Sequence, residues 1–72
     1  MTRGEFEEAF LRHWDQLRRF AENRLKRRPH AAEDAISETF CSILETGSYT
    51  GVPSDGEALR RWLFAAVRNH CS

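Results

Sequence analysis

Apolar residues in this chain recur at steps of three and four and nowhere alternate along a plausible strand. That period belongs to helices with one buried face and excludes half-buried sheet. Three stretches carry the pattern, with two breaks between them. In residues 2–28 the stripe is Phe6, Phe10, Trp14, Leu17, Ala21 and Leu25. Thr2 and Glu5 have the spacing of a capping box, in which hydroxyl and carboxylate each satisfy an orphan backbone N–H. Pro29 stops this stretch and opens the next, because its fixed φ suits a first helical turn. There Ala32, Ile36, Phe40, Ile43 and Leu44 form the apolar face, and Gly47 is the expected C-terminal stop. Glu33 and Asp34 are expected in the first turn of this helix, where they complement its dipole. Residues 47–57 hold three glycines, two serines and a proline and read as a loop. Ser54 and Glu57 repeat the capping-box spacing, and Leu59, Trp62, Leu63, Ala66, Val67 and His70 form the last stripe. The fold class is therefore all-α: a small helical bundle of three long helical segments.

Seventy-two residues allow one domain, here taken as residues 1–72. A chain so short buries only about 60% of its unfolded surface, so its stability is marginal. No apolar run after the N-terminal basic residues resembles a signal peptide. No stretch reaches the roughly 20 apolar residues of a membrane span, so a cytoplasmic location is expected. Two cysteines, Cys41 and Cys71, are too few for a disulfide scaffold and are expected as free thiols.

Formal net charge is zero, but the charges are segregated. Residues 1–28 carry eight basic and five acidic side chains, residues 29–58 six acids and no base, and residues 59–72 three arginines and no acid. Such segregation suggests two surfaces with different partners. With its apolar stripe inward, the middle helix displays Asp34, Ser37, Glu38, Cys41 and Glu45. The last helix displays Arg60, Arg61, Phe64, Arg68 and Asn69. Arg60, Phe64 and Arg68 are four apart and share one stripe. An aromatic ring between guanidiniums suits a single-stranded nucleic acid, the ring stacking on a base while the arginines hold phosphates. A large aromatic off the buried stripe also needs a partner. Trp62, on the stripe, is expected in the core. The loop before this helix exceeds the usual ~4–6 residues, and Tyr49 in it offers a stacking face. The basic run Arg24, Lys26, Arg27 and Arg28 suits a helix C-terminus and could also meet phosphates. His13, His30, His70, Cys41 and Cys71 show no metal-ligand spacing, and no nucleophile-and-base or phosphate-loop pattern is present. Neither a metal, a cofactor nor a catalytic residue is expected, and the chain is not read as an enzyme.

Two motifs go further. Ala32-Glu33-Asp34-Ala35-Ile36-Ser37-Glu38-Thr39-Phe40 is followed, after the loop, by Trp62-Leu63-Phe64-Ala65-Ala66-Val67-Arg68-Asn69. Together, in this order and spacing, they resemble region 2 of bacterial sigma factors of the extracytoplasmic-function type. There the pattern runs roughly A-E-D-x-x-Q-E-T-F and then W-L-x-x-I-A-R-N. The resemblance extends from about Phe6 to Asn69. It implies a break of the first stretch into two helices near His13–Asp15, giving four helices, with Asp15 as a candidate cap for the second. It implies docking of Asp34, Ser37 and Glu38 on the clamp coiled coil of the β′ subunit of core RNA polymerase. It also implies that the loop and last helix bind the non-template strand of the promoter −10 element, with Asn69 on the strand and Arg61 and Arg68 near its backbone. The family usually has glutamine where Ser37 stands, so one amide arm is missing. Primary sigma factors carry two successive tryptophans where this chain has Arg61-Trp62, so the duplex-melting wedge is expected to be incomplete.

Sigma factors of this group continue into a helix-turn-helix domain for the −35 element, and this chain is expected to lack it. The rival expectation is a helical protein-interaction module, a sigma-like decoy that occupies polymerase or an anti-sigma factor without reading DNA.

Overall fold

The computed structural model describes residues 1–71, with Pro29 and Cys71 described by their backbone alone. It is all-α: α1 (Arg3–Arg12), α2 (Trp14–Arg24), α3 (Pro29–Thr46) and α4 (Gly56–Cys71), with a 3₁₀ turn at Ser48–Gly51 between α3 and α4. The described residues contain no strand. Helices α2, α3 and α4 pack on one another, and α1 closes one end against α2 and the 3₁₀ turn.

Local chemistry accounts for most boundaries. Thr2 and Glu5 form the expected capping box: the Glu5 N–H donates to Thr2 Oγ1 at 3.2 Å, and the Thr2 N–H donates to Glu5 Oε1 at 2.9 Å. These bonds to Thr2 hold the Glu5 carboxyl below its ordinary value. The break between α1 and α2 falls at His13. Asp15 is not its cap. It lies inside α2 and faces Arg18 at 3.7 Å, while His13 Nδ1 lies 2.9 Å from the Ala9 carbonyl. Gly47 ends α3 in the left-handed conformation at φ 74°, as a helix C-cap glycine should.

Three expectations about helix ends need correction. Helix α2 stops at Arg24, before Pro29, because Lys26 and Arg27 turn left-handed at φ 57° and 59°. The chain must reverse here so that α3 can pack on α2. With no glycine available, two bulky residues bear a left-handed cost of about 1 kcal/mol each. Because α3 already starts at Pro29, Glu33 and Asp34 fall beyond its first turn, which holds no acid. The cap of α4 is Asp55, whose Oδ2 accepts the Ala58 N–H at 3.1 Å; Ser54 and Glu57 do not form the box their spacing suggested. Glu57 instead pairs with Arg61 at 3.0 Å.

The core follows the stripes. Phe6, Phe10, Leu17, Ala21, Ala32, Ile36, Ile43, Leu59, Leu63 and Val67 are buried together. Ala9, Ala35, Thr39 and Val52 join them, although none lay on the predicted faces. Thr39 is fully buried and satisfied, its hydroxyl donating to the Ala35 carbonyl at 2.7 Å. Trp14, Phe40, Leu44 and Trp62 pack against the core but stay half-buried. His70, placed on the last stripe, is exposed.

Phe6 is the centre of this packing. It contacts Phe10 and Phe40 at ring-centroid distances of 5.7 and 5.8 Å, Tyr49 at 6.3 Å and Trp62 edge-on at 6.4 Å. Phe6→Ala is expected to cost about 3–5 kcal/mol, comparable with the whole stability of a domain this small. Chemical denaturation monitored by circular dichroism checks this. Trp62→Ala, at a half-buried ring, should cost less, and the reverse order would contradict the packing.

Candidate nucleic-acid and protein-docking surfaces

The motif on α3 divides between core and surface. Ala32, Ala35, Ile36 and Thr39 point inward, and Phe40 lies against Phe10 at 4.8 Å. Glu33, Asp34, Ser37 and Glu38 are exposed along the outer side, with Cys41 and Glu45 further on. Four carboxylates elsewhere find cations one turn away: Glu7 with Arg3, Glu8 with Arg12, Asp15 with Arg18 and Glu57 with Arg61. Among the described residues, Glu33, Asp34, Glu38 and Glu45 have no ion-pair partner. The cause is sequence-local, since residues 29–58 contain no Lys or Arg to reach them. The result is an acidic strip whose compensation must come from water, ions or another molecule.

On α4, Arg60, Arg61, Arg68 and Asn69 are exposed. Phe64 is not the open ring its position suggested. It is half-buried, with its ring 5.1 Å from that of Phe20 in an edge-to-face pair across α2 and α4. The Arg60 guanidinium lies 5.0 Å from the Phe64 centroid, and Arg24 repeats the arrangement over Phe20 at 5.7 Å. A ring off the main stripe did need a partner, and Phe20 of the same chain supplies it. The signal for this pair was present as Phe20–Arg24 and Arg60–Phe64, two aromatic–arginine pairs at four-residue spacing. Neither periodicity nor motif pointed to Phe20.

Tyr49 also departs from expectation. It sits on the 3₁₀ turn, half-buried, with its ring stacked on Phe6 at an interplanar angle of 27°. One face is therefore already used. Val52 is buried and anchors the middle of the loop. Arg61 is held by Glu57 within α4. Asp55 and Glu57, the acids at the start of α4, are both engaged: Asp55 by the α4 N-terminus, Glu57 by Arg61. The structure thus brings Arg60 and Phe64 together with Phe20 and Arg24. Tyr49 belongs to the Phe6 cluster instead.

No family model, curated protein or solved structure matches this chain.

No three His, Cys, Asp or Glu side chains among the described residues converge as a metal site. Cys41 is a free, exposed thiol, and the Cys71 side chain lies outside the described residues. No helix among the described residues is long and apolar enough to cross a membrane.

Because Phe64 packs on Phe20, its truncation has a structural cost. Phe64→Ala is expected to destabilise the chain by roughly 2 kcal/mol, less than a fully buried phenylalanine would. Arg60→Gln, at an exposed position, should stay within about 0.5 kcal/mol of the parent. Thermal melts of the two variants test the pair, and a Phe64→Ala variant as stable as the parent would contradict the packing.

Proposed function

We propose that this chain is a sigma-factor region 2 domain of the extracytoplasmic-function type. In this reading it docks on core RNA polymerase through α3 and holds the non-template strand of the −10 element with α4 and the loop before it. The observation that carries the reading is the division of the α3 motif. Its apolar members build the core, while Glu33, Asp34, Ser37 and Glu38 lie outside, the three carboxylates without an ion-pair partner among the described residues. A row of unpaired carboxylates on a rigid helix fits a partner surface that supplies arginines in charge-assisted pairs. The exposed Arg60, Arg68 and Asn69 on α4 give a second face of opposite sign. The work proposed is binding. Unpaired bases prefer to stack, and a surface that traps them keeps the strands apart.

A second reading has an observation in its favour. With Phe64 seated on Phe20 and Tyr49 on Phe6, the rings available for base stacking are fewer than the sequence suggested. A protein-only module that binds polymerase or an anti-sigma factor needs no such rings.

One measurement tests the docking surface, and a second separates the two readings. Asp34→Lys combined with Glu38→Lys is expected to weaken binding to the β′ clamp coiled coil by about 2–5 kcal/mol if the pairs are desolvated. Unchanged affinity with an intact circular dichroism spectrum would remove the docking assignment. Short single strands carrying a matched −10 sequence are expected to bind better than scrambled strands of the same composition, and better than duplex. Asn69→Ala should narrow the gap between matched and scrambled strands, because base edges carry the sequence information. Equal binding of matched, scrambled and duplex DNA in the presence of polymerase favours the protein-only module.

A further inference from the structure

At the end of α2 and the start of α3 lies an open groove of about 280 Å³, lined by Arg24, Lys26, Arg28, Leu25 and Ala31. Three of its five walls are cationic and none is acidic. Among the described residues, Arg24, Lys26 and Arg28 make no ion pair, and Arg24's one side-chain partner is the Phe20 ring.

Helix-end electrostatics explain only part of this cluster. Arg24 lies in the last turn of α2, where a cation is favourable. Lys26, Arg27 and Arg28 lie beyond that helix and immediately before α3, with Arg28 as its N-cap residue. That is the positive end of the α3 dipole, where further positive charge is unfavourable. No side chain caps the end, and no acid stands in the first turn to offset the charge. Lys26 and Arg27 are also held left-handed, which fixes this basic turn rather than leaving it to spread into solvent. Like charges gathered in a concavity without a counter-ion are stabilised by an anion from outside.

The groove also continues the basic side of α4. Arg60 covers Phe64, Phe64 contacts Phe20, Phe20 lies under Arg24, and Arg24 forms one wall of the groove. These contacts make an unbroken line of cations and ring edges from α4 to the α2–α3 turn. We propose that the groove of Arg24, Lys26 and Arg28 is a phosphate-binding site that holds the sugar–phosphate backbone of the nucleic-acid strand engaged by α4. This rests on the strand-binding reading of α4 and adds a contact by which α2 extends the path. The groove positions the strand and does not read its sequence, because phosphates carry none.

The test uses the 72-residue chain and a labelled single-stranded oligonucleotide, with affinity followed by anisotropy across a salt series. Lys26→Gly with Arg28→Gln removes two charges while giving the left-handed position to glycine, which adopts it without strain. Arg24→Gln serves as a second, independent variant on α2. Arg3→Gln with Arg12→Gln removes the same charge from α1 and controls for net charge. Loss of two phosphate contacts is expected to reduce the slope of log affinity against log salt by about 1.4 for a single strand. The α1 control is expected to keep the parent's slope. If the groove variants keep the parent's slope, or the α1 control loses as much, the groove is not a phosphate site. If the groove variants lose slope while matched and scrambled strands bind alike, the phosphate site stands and the promoter reading of α4 falls. If the matched preference persists with an unchanged slope, the promoter reading stands and the groove falls.

Discussion

The contacts of one ring hold this fold together. Phe6, on α1, touches Phe10 beside it, Phe40 on α3, Tyr49 on the 3₁₀ turn and Trp62 on α4. It is completely buried, and rings from α1, α3, the 3₁₀ turn and α4 meet at it directly. In a chain too short for a deep core, this concentration matters. Aromatic rings bury the most surface per residue and add tilted and edge-on contacts to that burial. The same cluster also positions both candidate surfaces. Phe40 closes the α3 motif, Trp62 opens the α4 motif, and Tyr49 pins the loop between them. Surfaces that are separate in sequence therefore share one rigid centre.

Charge is arranged around that centre by a simple local rule. Where acids and bases alternate within a turn, as on α1 and in the first turns of α4, they pair and leave little net field. Such exposed pairs contribute little stability. Where one sign is missing over a long span, the opposite sign is left over. Residues 29–58 lack bases, so the outer side of α3 stays acidic; the turn before it holds Lys26, Arg27 and Arg28 in succession, none of them in an ion pair among the described residues. Zero net charge thus hides two opposed fields, which is a statement about partners and association rather than about fold.

The fold was largely legible because helical periodicity reports burial directly. The three stripes are present apart from Leu25, which is half-buried, and His70, which is exposed; the Thr2–Glu5 cap and the Gly47 stop are present, and the first stretch does split at His13. The features without a sequence signal depend mostly on partners distant in sequence. Phe64 looked exposed from its own helix alone; only the packing of α2 on α4 brings Phe20 against it. Thr39 reads as polar, yet its hydroxyl is satisfied by the preceding turn, so burial costs it no hydrogen bond. Ser54–Glu57 and Asp55–Ala58 compete for one helix end three residues apart, and spacing does not decide between them. The left-handed turn at Lys26 and Arg27 had no local signal, because no glycine marks it. The candidate surfaces were legible in part: Asp34, Ser37, Glu38, Arg60, Arg61, Arg68 and Asn69 are all exposed, whereas Phe64 and Tyr49 are half-buried on other rings.

The central claim is that one rigid bundle presents two separate surfaces to two partners at once. Backbone amide chemical-shift mapping of the chain tests it most directly, with the β′ clamp coiled coil and a matched −10 single strand added first singly and then together. The account predicts two disjoint sets of shifted residues. The protein partner should move the amides around Asp34, Ser37 and Glu38, and the strand those around Arg60, Arg68 and Asn69, with both sets moving in the ternary mixture. Shifts from both partners on the same residues, or displacement of one partner by the other, would contradict it.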